Sequence, residues 1–193
     1  MRVLVIGGTF FIGPGVVMRL EEMGHEVTVF HRGKTSADLP PGVKHLLGDR
    51  RDLEDFKGEF KRLSPDVVLD MFPFSEQDAR TVMSAFKGIA RRVVAISSQD
   101  VYRAFGLVQG IEFGPPDPVP LTENAPLRKT LYPYRALFQG GDRPYPNRSD
   151  DYEKILVEQA VMGDPDLPGT VLRLPMVYTA RGTARIGSLK WDF

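Results

Sequence analysis

The chain has 193 residues, 42% of them hydrophobic and 26% charged, which is enough apolar material for one well-buried domain and too polar for a membrane protein. Lys and Arg number 25, as do Asp and Glu, so no global field draws the chain to nucleic acid or to an anionic membrane, although a local patch stays open. Cysteine is absent, no apolar stretch approaches membrane-spanning length, and the apolar run after Met1 is too short for a signal peptide. The expected setting is the cytoplasm, without disulfides or thiolate metal sites, and His25, His31 and His45 are too scattered to suggest a metal.

In chain order, the apolar run Val3-Leu4-Val5-Ile6 predicts a first strand over 2–6 that leads directly into Gly7-Gly8-Thr9-Phe10-Phe11-Ile12-Gly13. Such a strand-to-helix turn suits a dinucleotide pyrophosphate. Residues without Cβ let the backbone bend and approach phosphate oxygens, and the next helix, over 12–23, aims its N-terminal N–H groups at the negative charge. Pro14 suits an early helical position, and Gly24 suits the left-handed residue that ends the helix. The spacing departs from G-x-G-x-x-G, because Phe10 stands where a third glycine would be in G-x-x-G-x-x-G. A glycine-rich turn in some other α/β protein is the plainer alternative.

Further strands are predicted over 26–30, 43–47, 66–69, 92–97 and 170–174, and further helices over 52–63, 75–86 and 151–162, with Asp52 and Ser75 as N-caps. The strands read as apolar runs covered on both faces, and their alternation with helices predicts a doubly wound, parallel, Rossmann-type α/β sheet of about six strands. Residues 103–149 break the pattern, with prolines at 115, 116, 118, 120, 126, 133, 144 and 146 arguing against any regular element. The segment reads as a long loop or lid leaving the C-terminal end of the fifth strand, its aromatics Phe113, Tyr132, Tyr134, Phe138 and Tyr145 packing it down.

Four landmarks follow the glycine turn in order: Val29-Phe30-His31-Arg32-Gly33, Gly48-Asp49-Arg50-Arg51-Asp52, Ser97-Ser98-Gln99-Asp100-Val101-Tyr102, and Leu172-Arg173-Leu174-Pro175-Met176-Val177-Tyr178. The set resembles the extended short-chain dehydrogenase/reductases, the NAD(P)-dependent epimerase/dehydratase family, and in particular its atypical branch with a non-glycine residue at the place of Phe10. On that resemblance, residues 1–178 form an NAD(P)-binding domain, and 179–193 are what remains of the connection to a C-terminal substrate lobe that is largely missing. The cofactor set is Gly7, Thr9, Phe10, Phe11, Ile12, Gly13, Arg32, Asp49, Met71 and Lys154, with Asp49 placed to accept from the adenine amino group and Met71 to run backbone past the ribose. His31 and Arg32 stand where NAD enzymes carry a ribose-binding acid. Because Arg32 could pair with a 2′-phosphate, NADP(H) is expected over NAD(H), which stays possible.

The resemblance also implies a catalytic set of Ser98, Tyr152 and Lys154. Ser98 precedes x-x-Val-Tyr, and Lys154 has the family's Lys-x-x-x-Glu spacing to Glu158, but the residue four before Lys154 is Asp150, and Tyr152 lies only two before it. Residues two apart on a helix point about 200° apart. Either the helix begins between them, with Asp150 or Asp151 as cap, or Tyr152 is an amphipathic surface residue and the acid is another group or none. Asp100, after Gln99, gives only a doubtful match to the dehydratase acid. The implied function is hydride-transfer chemistry on a nucleotide sugar or related hydroxyl/carbonyl substrate by an epimerase/dehydratase-like oxidoreductase, with homo-oligomers possible, no membrane partner, and nucleic acid disfavoured as a partner. A non-catalytic NADP-binding protein and an RNA-binding protein, like the chloroplast stem-loop binders of the atypical branch, are the alternatives.

Overall fold

The computed structural model describes residues 1–35, 37–137 and 150–177. Six parallel strands, β1 (Arg2–Ile6), β2 (Glu26–His31), β3 (Lys44–Leu47), β4 (Val67–Asp70), β5 (Arg92–Ser98) and β6 (Gly169–Leu174), lie in the order β3-β2-β1-β4-β5-β6. Val5 pairs with Val29 on one side and Leu69 on the other, so β1 is central and the chain reverses its direction of travel across the sheet between β1 and β4. Ligand crevices in open α/β sheets form at that reversal, beyond the C-terminal ends of the strands.

Alternation along β1 divides the core. Val3 and Val5 face α1 (Gly13–Glu22) with Val17, Val27 and Val29, whereas Leu4 and Ile6 face α2 (Lys57–Leu63) and α3 (Glu76–Phe86) with Phe60, Val82 and Phe86. Phe30, Phe56, Phe60 and Phe86 form a chain of ring contacts on that second face, with centroids 5.1 Å apart for Phe30 and Phe56 and 4.5 Å for Phe60 and Phe86. The edge strands β3 and β6 are not covered on both faces as their apolar runs suggested. None of their residues is fully buried, because among the described residues each has a strand neighbour on one side only.

Ser75 caps α3 through a capping box, accepting from Asp78 N at 3.1 Å while Asp78 Oδ2 accepts from Ser75 N at 3.0 Å. Gly24 takes φ +78 just after α1, as expected. Asp52 does not cap. The helix expected over 52–63 is a 3-10 turn over Arg50–Phe56, kinked at Asp52 and capped by Asp49, followed by α2.

The proline-rich segment is not devoid of regular structure. Its first residues precede all the prolines and form α4 (Arg103–Val108), and Pro133 opens α5 (Pro133–Leu137), where a missing N–H costs nothing. Phe113 does not pack the segment down, being 88% exposed, whereas Tyr134 meets Tyr152 edge-on at 5.1 Å. Phe138, Tyr145, Tyr178 and the expected remnant over 179–193 lie outside the described residues. The last described helix, α6, runs over Lys154–Met162 rather than starting at 151.

Candidate functional site

The glycine turn closes the end of β1. Gly7 takes φ +84, and its N–H donates to Phe30 O at 3.0 Å, so the backbone turns away from the sheet while still bonded to β2. A Cβ on Gly13 would stand 2.7 Å from the Gly8 carbonyl carbon and 2.8 Å from its oxygen, so glycine there lets α1 abut the turn's own backbone. Between them Phe11 occupies the left-handed region at φ +54 without being glycine, and Phe10 is about half exposed. Ile12 precedes α1 without capping it by side chain, and Pro14 lies in the first turn, so the helix start offers backbone donors rather than a built-in acceptor. Thr9 Oγ1 meets Thr35 Oγ1 at 2.6 Å and ties the turn to the segment after β2.

At the end of β2, His31 Nδ1 accepts from Gly33 N at 3.2 Å, which assigns its proton to Nε2, the donor to His45 Nδ1 at 2.9 Å. Both ring nitrogens are thus used within the protein. Partial burial first, and His45 second, push the His31 pKa below its ordinary value. Arg32, next in the chain, is exposed. Asp49 is engaged locally: Oδ1 takes Arg51 N at 3.0 Å and Nε at 3.1 Å, and Oδ2 takes Nη2 at 2.7 Å. Those bonds, from the guanidinium first and the backbone second, hold its carboxyl well below the usual carboxylate range. Met71 is buried in the core, packed with the β1 valines, and its N–H donates to Ile6 O at 3.1 Å.

Beside Met71, Arg50 reaches from the 3-10 turn to Asp70 through two bonds of 3.1 and 3.0 Å, to Phe72 O at 2.7 Å and to Asp78 at 3.2 Å. Arg50 is not among the site residues expected from the sequence. Its signal was a charged residue directly after Gly48-Asp49, where a turn needs none.

The three expected catalytic residues gather at the C-terminal end of β5. Ser98 is its last residue, half-buried, with Oγ accepting from Asp100 N at 3.3 Å. Tyr152 is only 3% exposed, and its hydroxyl donates to Asp100 Oδ2 at 2.7 Å, so the surface alternative for Tyr152 is excluded. Lys154 is equally buried, with Nζ donating to Pro73 O at 2.7 Å and to Ile96 O at 2.8 Å and lying 5.8 Å from the Tyr152 ring centroid. The helix does begin between the two, as the first alternative required, but the cap is Glu153 rather than Asp150 or Asp151. Glu158 completes the Lys-x-x-x-Glu spacing by accepting from Ser97 Oγ at 2.6 Å and from Arg173 Nε at 2.9 Å and Nη2 at 2.7 Å, which ties α6 to β5 and β6. Among the described residues, no group of three or more His, Cys, Asp or Glu could hold a metal, and no helix is long and apolar enough to cross a membrane.

A doubly wound sheet ordered 3-2-1-4-5-6, with a glycine turn where its order reverses, defines a Rossmann-type protein. More narrowly, the sequence model of the NAD dependent epimerase/dehydratase family matches residues 3–186, and the chain belongs to that family. It is similar to a UDP-glucose 4-epimerase of Streptomyces lividans, 34% identical over 145 residues that cover 70% of this chain and 44% of the relative. It also resembles a chloroplast stem-loop binding protein of 41 kDa from Arabidopsis thaliana, at 28% identity over 61% of this chain and 34% of the relative. In fold it matches the Bordetella bronchiseptica enzyme WbmG, solved in complex with NAD, with a TM-score of 0.61 at 20% identity over 90% of this chain and 52% of that one. The chain thus spans about half the length of these proteins or less.

Proposed function

We propose that residues 1–178 are the cofactor-binding part of an NADP(H)-preferring, epimerase/dehydratase-like oxidoreductase acting on a nucleotide sugar or a related hydroxyl/carbonyl substrate in the cytoplasm. The observation that carries this reading is that Ser98 and Tyr152 both bond to Asp100, just past β5, while Lys154 bonds to Ile96 O of β5, at the same end of the sheet as the glycine turn. The chain fits a dinucleotide on physical grounds. The α1 start supplies backbone donors without a side-chain cap, and Gly7 and Gly13 hold the turn that presents them. Gly7, Thr9, Phe10, Phe11, Ile12 and Gly13 would surround the pyrophosphate, the Met71 backbone would pass one ribose, and Lys154 would hold the other. Asp49 would reach the adenine only by sharing its carboxylate with Arg51, whose side chain is largely exposed.

A bound nicotinamide supplies a hydride acceptor or donor. In the proposed chemistry Tyr152 moves the proton at the substrate oxygen, and the Ser98 hydroxyl donates to that oxygen. The Lys154 ammonium, held by two carbonyls, keeps a fixed positive charge beside the phenol. Because both nitrogens of His31 are used, its ring offers no free acceptor to a ribose 2′-hydroxyl, whereas exposed Arg32 can pair with a 2′-phosphate. Titration with NADPH and NADH tests the reading. NADPH should bind about tenfold tighter or better, and Arg32→Ala should erase most of the difference, as the loss of one charge-assisted pair requires. Equal binding of the two would refute the preference.

The Arabidopsis relative gives the RNA-binding alternative a specific footing. Balanced charge, 25 basic against 25 acidic residues, weighs against it. Anisotropy with a labelled stem-loop RNA separates the two readings. A homo-oligomer is a further expectation, checked by sizing chromatography.

A further inference from the structure

Tyr152 and Lys154 can serve one site only because the residue between them is not helical. Glu153 has φ −156 and ψ 100, and in extended backbone residues two apart share a face, whereas on a helix they diverge. The same alternation sends the Glu153 side chain the opposite way, into a place where it is wholly inaccessible. A carboxylate there is tolerable only with a partner. That partner is Arg128, equally inaccessible, which meets Glu153 through two parallel bonds of 2.8 and 2.6 Å. Nothing in the Ser, Tyr and Lys roles uses this pair.

The pair also collects the surrounding backbone. Glu153 Oε1 accepts from Ile155 N at 2.8 Å and starts α6, while Oε2 accepts from Tyr132 N at 2.5 Å. Arg128 Nε donates to Asp100 O at 2.7 Å, and Arg128 N donates to Val101 O at 2.9 Å. Asp100 is the residue whose carboxylate takes the Tyr152 hydroxyl. Both partners of that hydroxyl contact are therefore fixed from the same buried ion pair, Tyr152 through its neighbour Glu153 and Asp100 through Arg128.

We propose that Arg128 and Glu153 are positioning residues of the acid/base site, which make a two-residue Tyr-to-Lys spacing workable by breaking the helix between the two side chains. The inference rests on the reading of Tyr152 and Lys154 given above. It also assigns a role to the proline-rich segment: residues 128–132 carry the counterion and so hold the site's geometry from outside the sheet.

The test uses the full chain with 13Cζ-labelled tyrosine, the Tyr152 resonance being assigned by its loss in Tyr152→Phe, together with NADPH titration and thermal melting. In Arg128→Met/Glu153→Leu, apolar groups of similar size replace the pair, a change that is often neutral for stability. That variant should melt near the wild type yet shift the Tyr152 resonance and bind NADPH about tenfold more weakly, the size of one lost charge-assisted hydrogen bond. Should it not fold, Glu153→Asp keeps a carboxylate cap but is one methylene too short to reach Arg128 through both oxygens, and should give the same resonance shift in smaller measure. A Tyr152 resonance unmoved in the folded variants would overturn the proposal and leave the pair a mere packing feature. NADPH binding and nicotinamide emission unchanged in both Tyr152→Phe and Lys154→Met would instead overturn the underlying reading of the site, and would do so even with the resonance shifted.

Discussion

Two alanines placed two residues apart in the same helix should have opposite effects. At Gly13 the new Cβ would lie 2.7, 2.8 and 3.0 Å from the carbonyl carbon, oxygen and Cα of Gly8, all backbone atoms with no rotamer to yield. Carbon atoms in contact rest about 3.5–4.0 Å apart, so α1 would have to withdraw by roughly 1 Å, and overpacking of that kind costs about 1–3 kcal/mol. At Gly15 nothing lies within 4 Å of the added atom, and alanine in a helix interior is worth about 0.5–1 kcal/mol over glycine. For a chain of this size each kcal/mol moves the melting temperature by about 2–4 °C, so Gly13→Ala should melt roughly 2–12 °C lower and Gly15→Ala roughly 1–4 °C higher. Because the withdrawal displaces the turn itself, Gly13→Ala should also weaken NADPH and NADH together. Circular-dichroism melting and cofactor titration read both effects. If the two variants melted alike and bound cofactor alike, the claim that Gly13 exists for contact between α1 and the turn would be refuted.

Arg50→Met should cost about 3–5 kcal/mol in urea unfolding, because it leaves the Asp70 carboxylate, 2% exposed, without its counterion; Arg50→Met/Asp70→Leu should recover most of that loss, and a near-neutral single variant would contradict the account. His31 gives a pH dependence whose sign is fixed by its lowered folded-state pKa: its contribution is fully present above the ordinary value of 6.5 and is lost as pH falls below it, because the unfolded chain then binds the proton more readily. The drop in stability between pH 7.5 and pH 5 should therefore shrink in His31→Gln, measured by melting at both pH values, and an unchanged drop would show that the His31 and His45 contact is indifferent to protonation.

The sheet was legible because its signals are local. Val3 to Ile6, Glu26 to Phe30 and Arg92 to Ser97 are runs whose neighbours on both sides are turns or helices, and the strands found there agree to within a residue. Ser75 and Gly24 were legible for the same reason, since a cap and a left-handed terminator act within one turn of where they stand. What escaped depends on distant partners. Nothing near Glu153 announces that Arg128, 25 residues earlier, will bury against it, and without that knowledge Asp150 and Asp151 looked the better caps. That Met71 is a core side chain was not legible, because the direction of its side chain follows from the register of β4 just before it. The helix over Arg103–Val108 is masked in the sequence by the prolines that follow it, none of which lies within it.

Among the described residues, buried or largely buried ion pairs at the C-terminal edge of the sheet include Arg50 with Asp70, Arg128 with Glu153, and Arg173 with Glu158. Each joins the end of a strand, or the residues just after it, to a neighbouring element: β4 to the 3-10 turn, β5 and its extension to the start of α6, and β6 to α6 and Ser97. The desolvation of such pairs roughly cancels their attraction, so their net contribution to stability is small compared with the aromatic core on the α3 side. Their geometric content is larger, since a two-bond guanidinium–carboxylate contact fixes orientation as well as distance. An apolar contact in the same place would be as stable and would leave the strand ends free to slide. On the proposed reading, the start of α6 and the end of β5 would have to hold Ser98, Tyr152 and Lys154 in one arrangement, since small displacements of reacting groups are costly in rate. Directional contacts at this edge, and apolar packing everywhere behind it, are the distribution of forces that such a site requires.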